Sequence, residues 1–281
     1  MHAPDLPSPF VSRLHEIAGG DATSWLRGFR DATAVSFRVN PLLAAEEGPV
    51  IDALLREGLH PRRTAWPEGA WMVPAHEREM LTHSGPVNRC QVLLQNLSSQ
   101  AAVAALTAKL PGFSGMRFLD LTAAPGGKSI ALAGIYKKSG GFEPEIRAVE
   151  VLRSRFYRMK KRMRDCGAGH VKTFQTDGRF VGNHLPESFD VVLLDAPCSS
   201  EAVIRAGKPE TWAHWSEKRV LAASGLQHLL LASAWKALRP GGRLLYSTCS
   251  TAPEENEAVI SNHFQTGNRQ HSGRQSENMQ L

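Results

Sequence analysis

Apolar residues recur along this chain with two periods, and the switch between them outlines its elements. Phe10, Leu14 and Ile17 fall at helical spacing, as do Trp25, Leu26 and Phe29, so residues 1–30 read as helical after a Pro-rich start. Ala34-Val35-Ser36-Phe37-Arg38-Val39 alternates as a strand does and stops at Asn40-Pro41. Val50 to Gly58 reads as a short helix closed by glycine. A Pro/Trp-rich segment, Thr64 to Pro74, follows. These parts make a small α/β unit of roughly 80 residues, which needs a larger domain to pack against.

A helix is predicted over 96–110, capped by Asn96. Strand patterns then fall at 117–121, 146–150, 171–175, 189–194 and 243–248, with helical patterns between most of them. This alternation predicts an α/β fold built on a parallel sheet covered on both faces. In the helix at 151–165, Leu152, Phe156, Met159 and Met163 share one face and basic residues cover the rest. That basic surface is either a solvated face or a phosphate contact. From Gln265 to Leu281 the chain is polar, and it is predicted to be disordered.

Composition narrows the picture modestly. Apolar content of 42% and charged content of 21% suit a soluble domain with a core. The excess of 33 basic over 27 acidic residues, +6 in all, points mildly to a polyanionic partner. Neither a signal peptide nor a long apolar run is present, so a cytoplasmic location is expected, with no membrane contact. Cys90, Cys166, Cys198 and Cys249 form no C-x-x-C pair, so reduced thiols are expected rather than a zinc cluster or disulfides.

Candidate chemistry centres on Phe118 to Ser129, F-L-D-L-T-A-A-P-G-G-K-S. It reads as a strand, a glycine turn and a helix start, the place where open α/β sheets bind ligands. A P-loop would need glycine where Thr122 stands, and G-x-G-x-x-G is absent. An adenosine-type cofactor remains, its tail meeting N–H groups at the helix start. Glu150 follows the second strand, where an acid could bind ribose hydroxyls, and Asp177 follows the third. Either acid could equally be a cap or turn former. Asp195-Ala196-Pro197-Cys198-Ser199 and Ser247-Thr248-Cys249-Ser250 each follow an apolar strand. They bring two thiols and a carboxylate to the sheet edge that also holds Asp120, a setting typical of reactive cysteines.

Together these motifs resemble the NOL/NOP/Sun family of S-adenosylmethionine-dependent RNA cytosine-5 methyltransferases, including its RsmB/RsmF-like bacterial members. Asp120 to Lys128 is similar to the family's D-x-C-A-A-P-G-G-K, with Thr122 in place of Cys. The two cysteine motifs, the acidic run Glu254-Glu255-Asn256-Glu257, Arg38-Val39-Asn40 and Leu94 to Gln100 match further family segments. The resemblance runs from about residue 34 to 264. It implies a class I, Rossmann-like methyltransferase sheet with a small N-terminal α/β subdomain of the RNA-binding type, divided as 1–85, 86–264 and a tail at 265–281. It implies Cys249 as nucleophile, Cys198 as an aid to product release and Asp195 as a contact to the base. Thr122, Ala123, Ala124, Pro125, Gly126, Gly127, Lys128, Glu150, Asp177 and Asp195 would line the S-adenosylmethionine site. No metal is implied. Ribosomal RNA is the expected partner, with transfer RNA second.

The family sheet usually ends in a hairpin, and no strand pattern follows the helix at 253–264. The strand leading to Cys249 is therefore expected at an exposed edge, with lowered stability or self-association. A non-catalytic RNA-binding protein of the same fold is the alternative to an enzyme. DNA cytosine methylation is weaker, since it would leave the Thr-Cys motif unexplained.

Overall fold

The computed structural model describes residues 6–30, 34–108, 110, 115–139 and 144–267. Helices α1 (Ser8–Ala18) and α2 (Ala22–Gly28) come first. They are followed by β1 (Ala34–Val39), α3 (Gly48–Arg56), β2 (Arg62–Arg63), β3 (Ala70–Pro74), α4 (Arg78–His83), α5 (Gly85–Asn88) and β4 (Val92–Leu94). Then come α6 (Leu97–Thr107), β5 (Arg117–Asp120), α7 (Gly127–Ser139), β6 (Glu145–Val149), α8 (Arg153–Asp165), β7 (Lys172–Phe174), α9 (Gly178–His184) and β8 (Phe189–Asp195). Helix α10 (Glu217–Ala237), β9 (Leu238–Ser247) and α11 (Glu257–Gly267) complete the described chain. None of the described helices is long and apolar enough to cross a membrane.

Two compact units form, and they do not follow chain order. One comprises Thr33–Asp195 with Ala234–Leu245, the other Met1–Ala32, Ala196–Ser233 and Tyr246–Leu281.

The larger unit contains two sheets. In the first, ordered β2-β3-β1-β4, β1 is flanked by antiparallel partners, with Phe37 opposite both Trp71 and Leu94. Phe37, Leu54, Val73 and Leu81 form its buried core with α3 and α4. Three of these strands escape a reading by pattern. β2 and β4 are too short to show a period, and β3 emerges from the Pro/Trp-rich segment.

The second sheet has the order β7-β6-β5-β8-β9, with β5 parallel to both β6 and β8 and β6 parallel to β7. This is the expected α/β methyltransferase-type sheet. Its strand β8 is apolar and almost wholly buried, as a central parallel strand covered on both faces must be. Burying each Val or Leu there stabilises the fold by about 1.5–3 kcal/mol. Asp190 is tolerated within that run because it accepts from Arg117 N at 2.7 Å and pairs with Arg239. The chain moves outward from β5 first through β6 and β7, then through β8 and β9. The strand order therefore reverses between β5 and β8, which opens a crevice at their carboxyl ends.

Four expectations need correction. Asn96 stands at the N-cap of α6 but its side chain makes no capping bond; Gln100 Nε2 instead bonds Gln95 O at 2.9 Å. Leu152 is exposed at the start of α8, leaving Phe156, Met159 and Met163 as the buried stripe. The last strand starts at Leu238 and takes in Pro240-Gly241-Gly242, with Gly241 at φ +76°. As the last strand in the sheet order it tolerates the missing proline N–H. It ends at Ser247, so Cys249 lies just beyond it. Finally, Gln265 to Gly267 close α11 rather than opening the tail, and 268–281 lie outside the described residues.

Candidate functional site

In the larger unit, the crevice at the carboxyl ends of β5 and β8 is a cleft of about 290 Å³. It is lined by Asp120 and the Thr122–Pro125 turn, with Gly127, Lys128 and Asp195. Ser36, Arg78, Gln95, Ser99 and Arg162 complete the polar lining. The turn is set by backbone bonds. Ala123 N donates to Val149 O at 2.8 Å, and Gly126 N to Ala123 O at 2.6 Å. Gly126 has φ +95°, and a Cβ there would lie 3.2 Å from Met163 Cε and 3.3 Å from Met159 Cγ on α8. Only glycine fits both demands. Helix α7 then starts at Gly127, where the first-turn N–H groups have no partner within the helix.

The polar groups of the cleft interlock. Thr122 Oγ1 donates to Asp195 O at 2.8 Å. Lys128 Nζ pairs with Asp195 Oδ2 and donates to Ser99 Oγ at 3.3 Å. Asp120 is fully buried, and burial pushes its carboxyl up to about 7, the bond from Ser129 opposing this and Asp195 adding to it. Ser129 Oγ donates to Asp120 Oδ2 at 2.5 Å, while Oδ1 has no hydrogen-bond partner. A ligand with a donor group at the end of β5 would satisfy that atom. Helix-start N–H groups, an orphaned carboxylate oxygen and nearby arginines together suit a zwitterionic ligand tail.

Of the residues named from sequence for the cofactor, Thr122, Ala123, Ala124, Pro125, Gly127, Lys128 and Asp195 line the cleft. Gly126, Glu150 and Asp177 are not among its lining residues. Glu150 is buried and accepts from Leu152 N at 2.8 Å, with Arg155 Nε 3.6 Å away. Asp177 caps α9 through Arg179 N at 3.0 Å, and hydrogen bonding to Arg179 holds its carboxyl below the usual range. Both thus make the local turn and cap contacts open to them in the sequence.

Arg38 and Asn40 are given by sequence only as part of a matching motif, and their work is structural. Buried Arg38 donates to Gln95 Oε1 at 2.8 Å and to Gly127 O at 3.4 Å, tying β1 to the start of α7. Asn40 Nδ2 bridges Cys90 O and Cys166 O, each at 2.9 Å.

The smaller unit holds the two cysteines of the strand-end motifs. Cys198 Sγ and Cys249 Sγ are 3.1 Å apart, and Cys249 N donates to Cys198 Sγ at 3.4 Å. Hydrogen bonding from Cys249 lowers the Cys198 thiol to about 7, against the opposing effect of burial. Cys166 contrasts with it, pushed up to about 12 by burial. All four cysteines are free thiols.

Two buried carboxylates hold the paired loops. Glu255 accepts from Ser199 N at 2.8 Å, from Gln227 Nε2 at 2.9 Å and from Ser250 Oγ at 2.9 Å. Glu201 accepts from Thr251 N at 2.8 Å and Trp215 Nε1 at 2.9 Å. Ser199 follows Cys198 and Ser250 follows Cys249, so Glu255 fixes both thiol-bearing turns at once. The acidic run containing Glu255 is visible in the sequence, but which of its acids turns inward is not.

Residues 110–280 match the family model of 16S rRNA methyltransferase RsmB/F. A ribosomal RNA small subunit methyltransferase F of Citrobacter koseri is 34% identical over 264 residues, which covers 92% of this chain and 53% of that protein. The chain thus spans about half the length of the curated relatives it matches across most of its own length. Among solved structures, PH0851 superposes with a TM-score of 0.81 at 31% identity, covering 92% of this chain and 56% of that one. A methyltransferase homologue from Pyrococcus horikoshii gives 0.75 at 27% identity, covering 92% and 79%.

Proposed function

The chain belongs to the RsmB/F family of rRNA methyltransferases, and on that premise we propose that it methylates C5 of a cytosine in ribosomal RNA through a covalent cysteine adduct. The observation that carries this reading is the pair of free thiols 3.1 Å apart, each on its own turn. Methylation of an exocyclic amine or a ribose hydroxyl has no use for two such thiols. Methylation of cytosine C5 does, because C5 is a poor nucleophile until another group adds to C6.

The cofactor is S-adenosylmethionine, and the cleft residues fit it: the N–H groups at Gly127 and Lys128, the unsatisfied Asp120 oxygen and the Thr122–Pro125 turn would hold it. When bound, it supplies an electrophilic methyl group. We assign residues 86–264 to cofactor binding and catalysis and 1–85 to an RNA-binding role, with Ser36 and Arg78 of that segment reaching the cleft. Glu150, after β6, and Asp177, at the N-cap of α9, do not line the cleft, and their assignment to the cofactor is a proposal resting on the sequence resemblance.

Cys249 adds as thiolate to C6 of a cytosine splayed from its stack, making C5 enamine-like. Asp195, bridged to Lys128, contacts the base and stabilises the adduct. Once C5 carries the methyl group, its proton must leave and the Cys249–C6 bond must break. Cys198, whose sulfur lies 3.1 Å from that of Cys249, is assigned to assist that release. The substrate class rests on the relatives, which are named for ribosomal RNA of the small subunit.

Bisulfite sequencing of ribosomal RNA from cells with and without the gene tests the reading. The expected result is one small-subunit cytosine that loses protection when the gene is absent. Unchanged protection at every cytosine would refute it.

A further inference from the structure

Helix α8 bears seven basic residues against one acid, Asp165. Its formal charge thus equals the +6 of the entire chain. Little of this charge is used internally. Lys161 pairs with Asp165 at 2.5 Å, and Arg155 lies 3.6 Å from Glu150. Among the described residues, Arg158, Lys160, Arg162 and Arg164 have no carboxylate within ion-pair distance. Packing does not require them, since Phe156, Met159 and Met163 already anchor the helix.

The pocket beside this helix has a volume of about 310 Å³. Its lining is apolar where β4 supplies Val92 and Leu94, and α8 contributes Arg158, Lys161 and Arg162 together with Asp165. Those three cations are spaced i, i+3 and i+4, so they share one helix face. Arg162 also lines the cofactor cleft and is common to both cavities. Arg38 behind it is buried without a carboxylate partner among the described residues, and burial, followed by the charge of Arg162, lowers its guanidinium to about 10. Arg158, Arg162 and Arg38 therefore carry positive charge from the pocket to the cleft, while Asp165 offsets Lys161 in the pocket and Asp195 offsets Lys128 in the cleft.

We propose that this pocket and the exposed face of α8 dock the sugar–phosphate backbone of single-stranded RNA leading to the target base. The inference rests on the RNA-methyltransferase reading above and deepens it by naming the surface. Polymeric rather than single-anion binding follows from the extent of the charge. Lys160 and Arg164 continue it along the helix beyond the pocket, where one small anion could not reach. The apolar lining at Leu94 offers a face for ribose or base, and the arginines take successive phosphates.

The test uses the full chain and the double variant Arg158→Gln/Lys161→Gln, which leaves Arg162 and every cleft residue intact. Binding of a fluorescein-labelled single-stranded RNA is measured by anisotropy across a salt series, and S-adenosylmethionine binding by calorimetry. Losing two phosphate contacts should lower the slope of log affinity against log salt by about 1.4. Cofactor affinity should be unchanged. A charge-matched control, Lys218→Gln/Arg219→Gln on α10, should leave the slope as in wild type. Equal slopes for wild type and the α8 variant overturn the inference while leaving the methyltransferase reading intact. An equal loss in the control also overturns it, since any surface charge would then serve. A wild-type chain that methylates no RNA and binds none overturns both readings together.

Discussion

Gly126 is the position where a single added methyl group should report most sharply on the cofactor turn. The residue has φ +95°, where an L side chain costs roughly 1–2 kcal/mol. Its Cβ would sit 3.2 Å from Met163 Cε and 3.3 Å from Met159 Cγ, closer than ordinary contact. The methyl end of Met163 can swing aside, but Met159 Cγ is nearer its backbone and yields less. Overpacking of this kind costs about 1–3 kcal/mol, and the flexible partner places it at the low end. Gly126→Ala should therefore destabilise the chain by about 2–3 kcal/mol. Gly225 provides the opposite case: it is exposed within α10 and has no neighbour within 4 Å of its Cβ position. There the same substitution removes only the flexibility of glycine and should stabilise by about 0.5–1 kcal/mol. Urea unfolding by fluorescence, with cofactor binding by calorimetry, measures both. Cofactor affinity should fall for the first variant and stay unchanged for the second. Two variants shifted in the same direction would show that the turn is not held as described.

Other consequences follow from the same contacts. Replacing Cys249 by Ala removes the main cause of the lowered Cys198 thiol, so Cys198 should alkylate more slowly with iodoacetamide at pH 7; an unchanged rate followed by mass spectrometry would disprove the coupling. Asp120 keeps its proton in the fold up to about 7, whereas the unfolded chain loses it near 3.8. Its contribution to stability is thus fully present below 3.8 and declines as pH rises through about 7. Asp120→Asn should lose less stability than wild type between pH 5 and pH 8, and parallel curves would contradict the assignment. Glu255→Ala strands the donors on Ser199 N and Gln227 Nε2, which should cost about 3 kcal/mol in urea unfolding. Glu255→Gln should cost less, because the amide retains one acceptor.

Much of the fold is legible in the sequence where the physical signal is local. The strands of the five-stranded sheet alternate with helical patterns, and each lies within a few residues of its expected place except at β9. There the Pro-Gly-Gly turn is continuous with the strand, because an edge position demands neither a proline N–H nor a fixed φ. Strands β2 and β4 carry no pattern of their own, since their partners rather than their sequence define them. The cleft is similarly divided. The Thr122–Lys128 turn announces itself through glycine and proline, whereas Gln95, Ser99 and Arg162 reach it from remote segments. Glu150 and Asp177 show the limit of placing acids by strand ends: each makes a short-range backbone bond that an isolated sequence cannot weigh against a ligand. Glu201 and Glu255 are illegible for the converse reason, as burial of an ionisable side chain is a tertiary outcome.

The central claim is methyl transfer to cytosine C5 through Cys249. Its most direct test is incubation of the purified chain with tritiated S-adenosylmethionine and small-subunit ribosomal RNA, followed by denaturing electrophoresis and nucleoside mass spectrometry. Wild type should yield labelled 5-methylcytidine. Cys249→Ala should yield none, and Cys198→Ala should leave labelled RNA covalently attached to protein. Full 5-methylcytidine formation by Cys249→Ala would contradict the account.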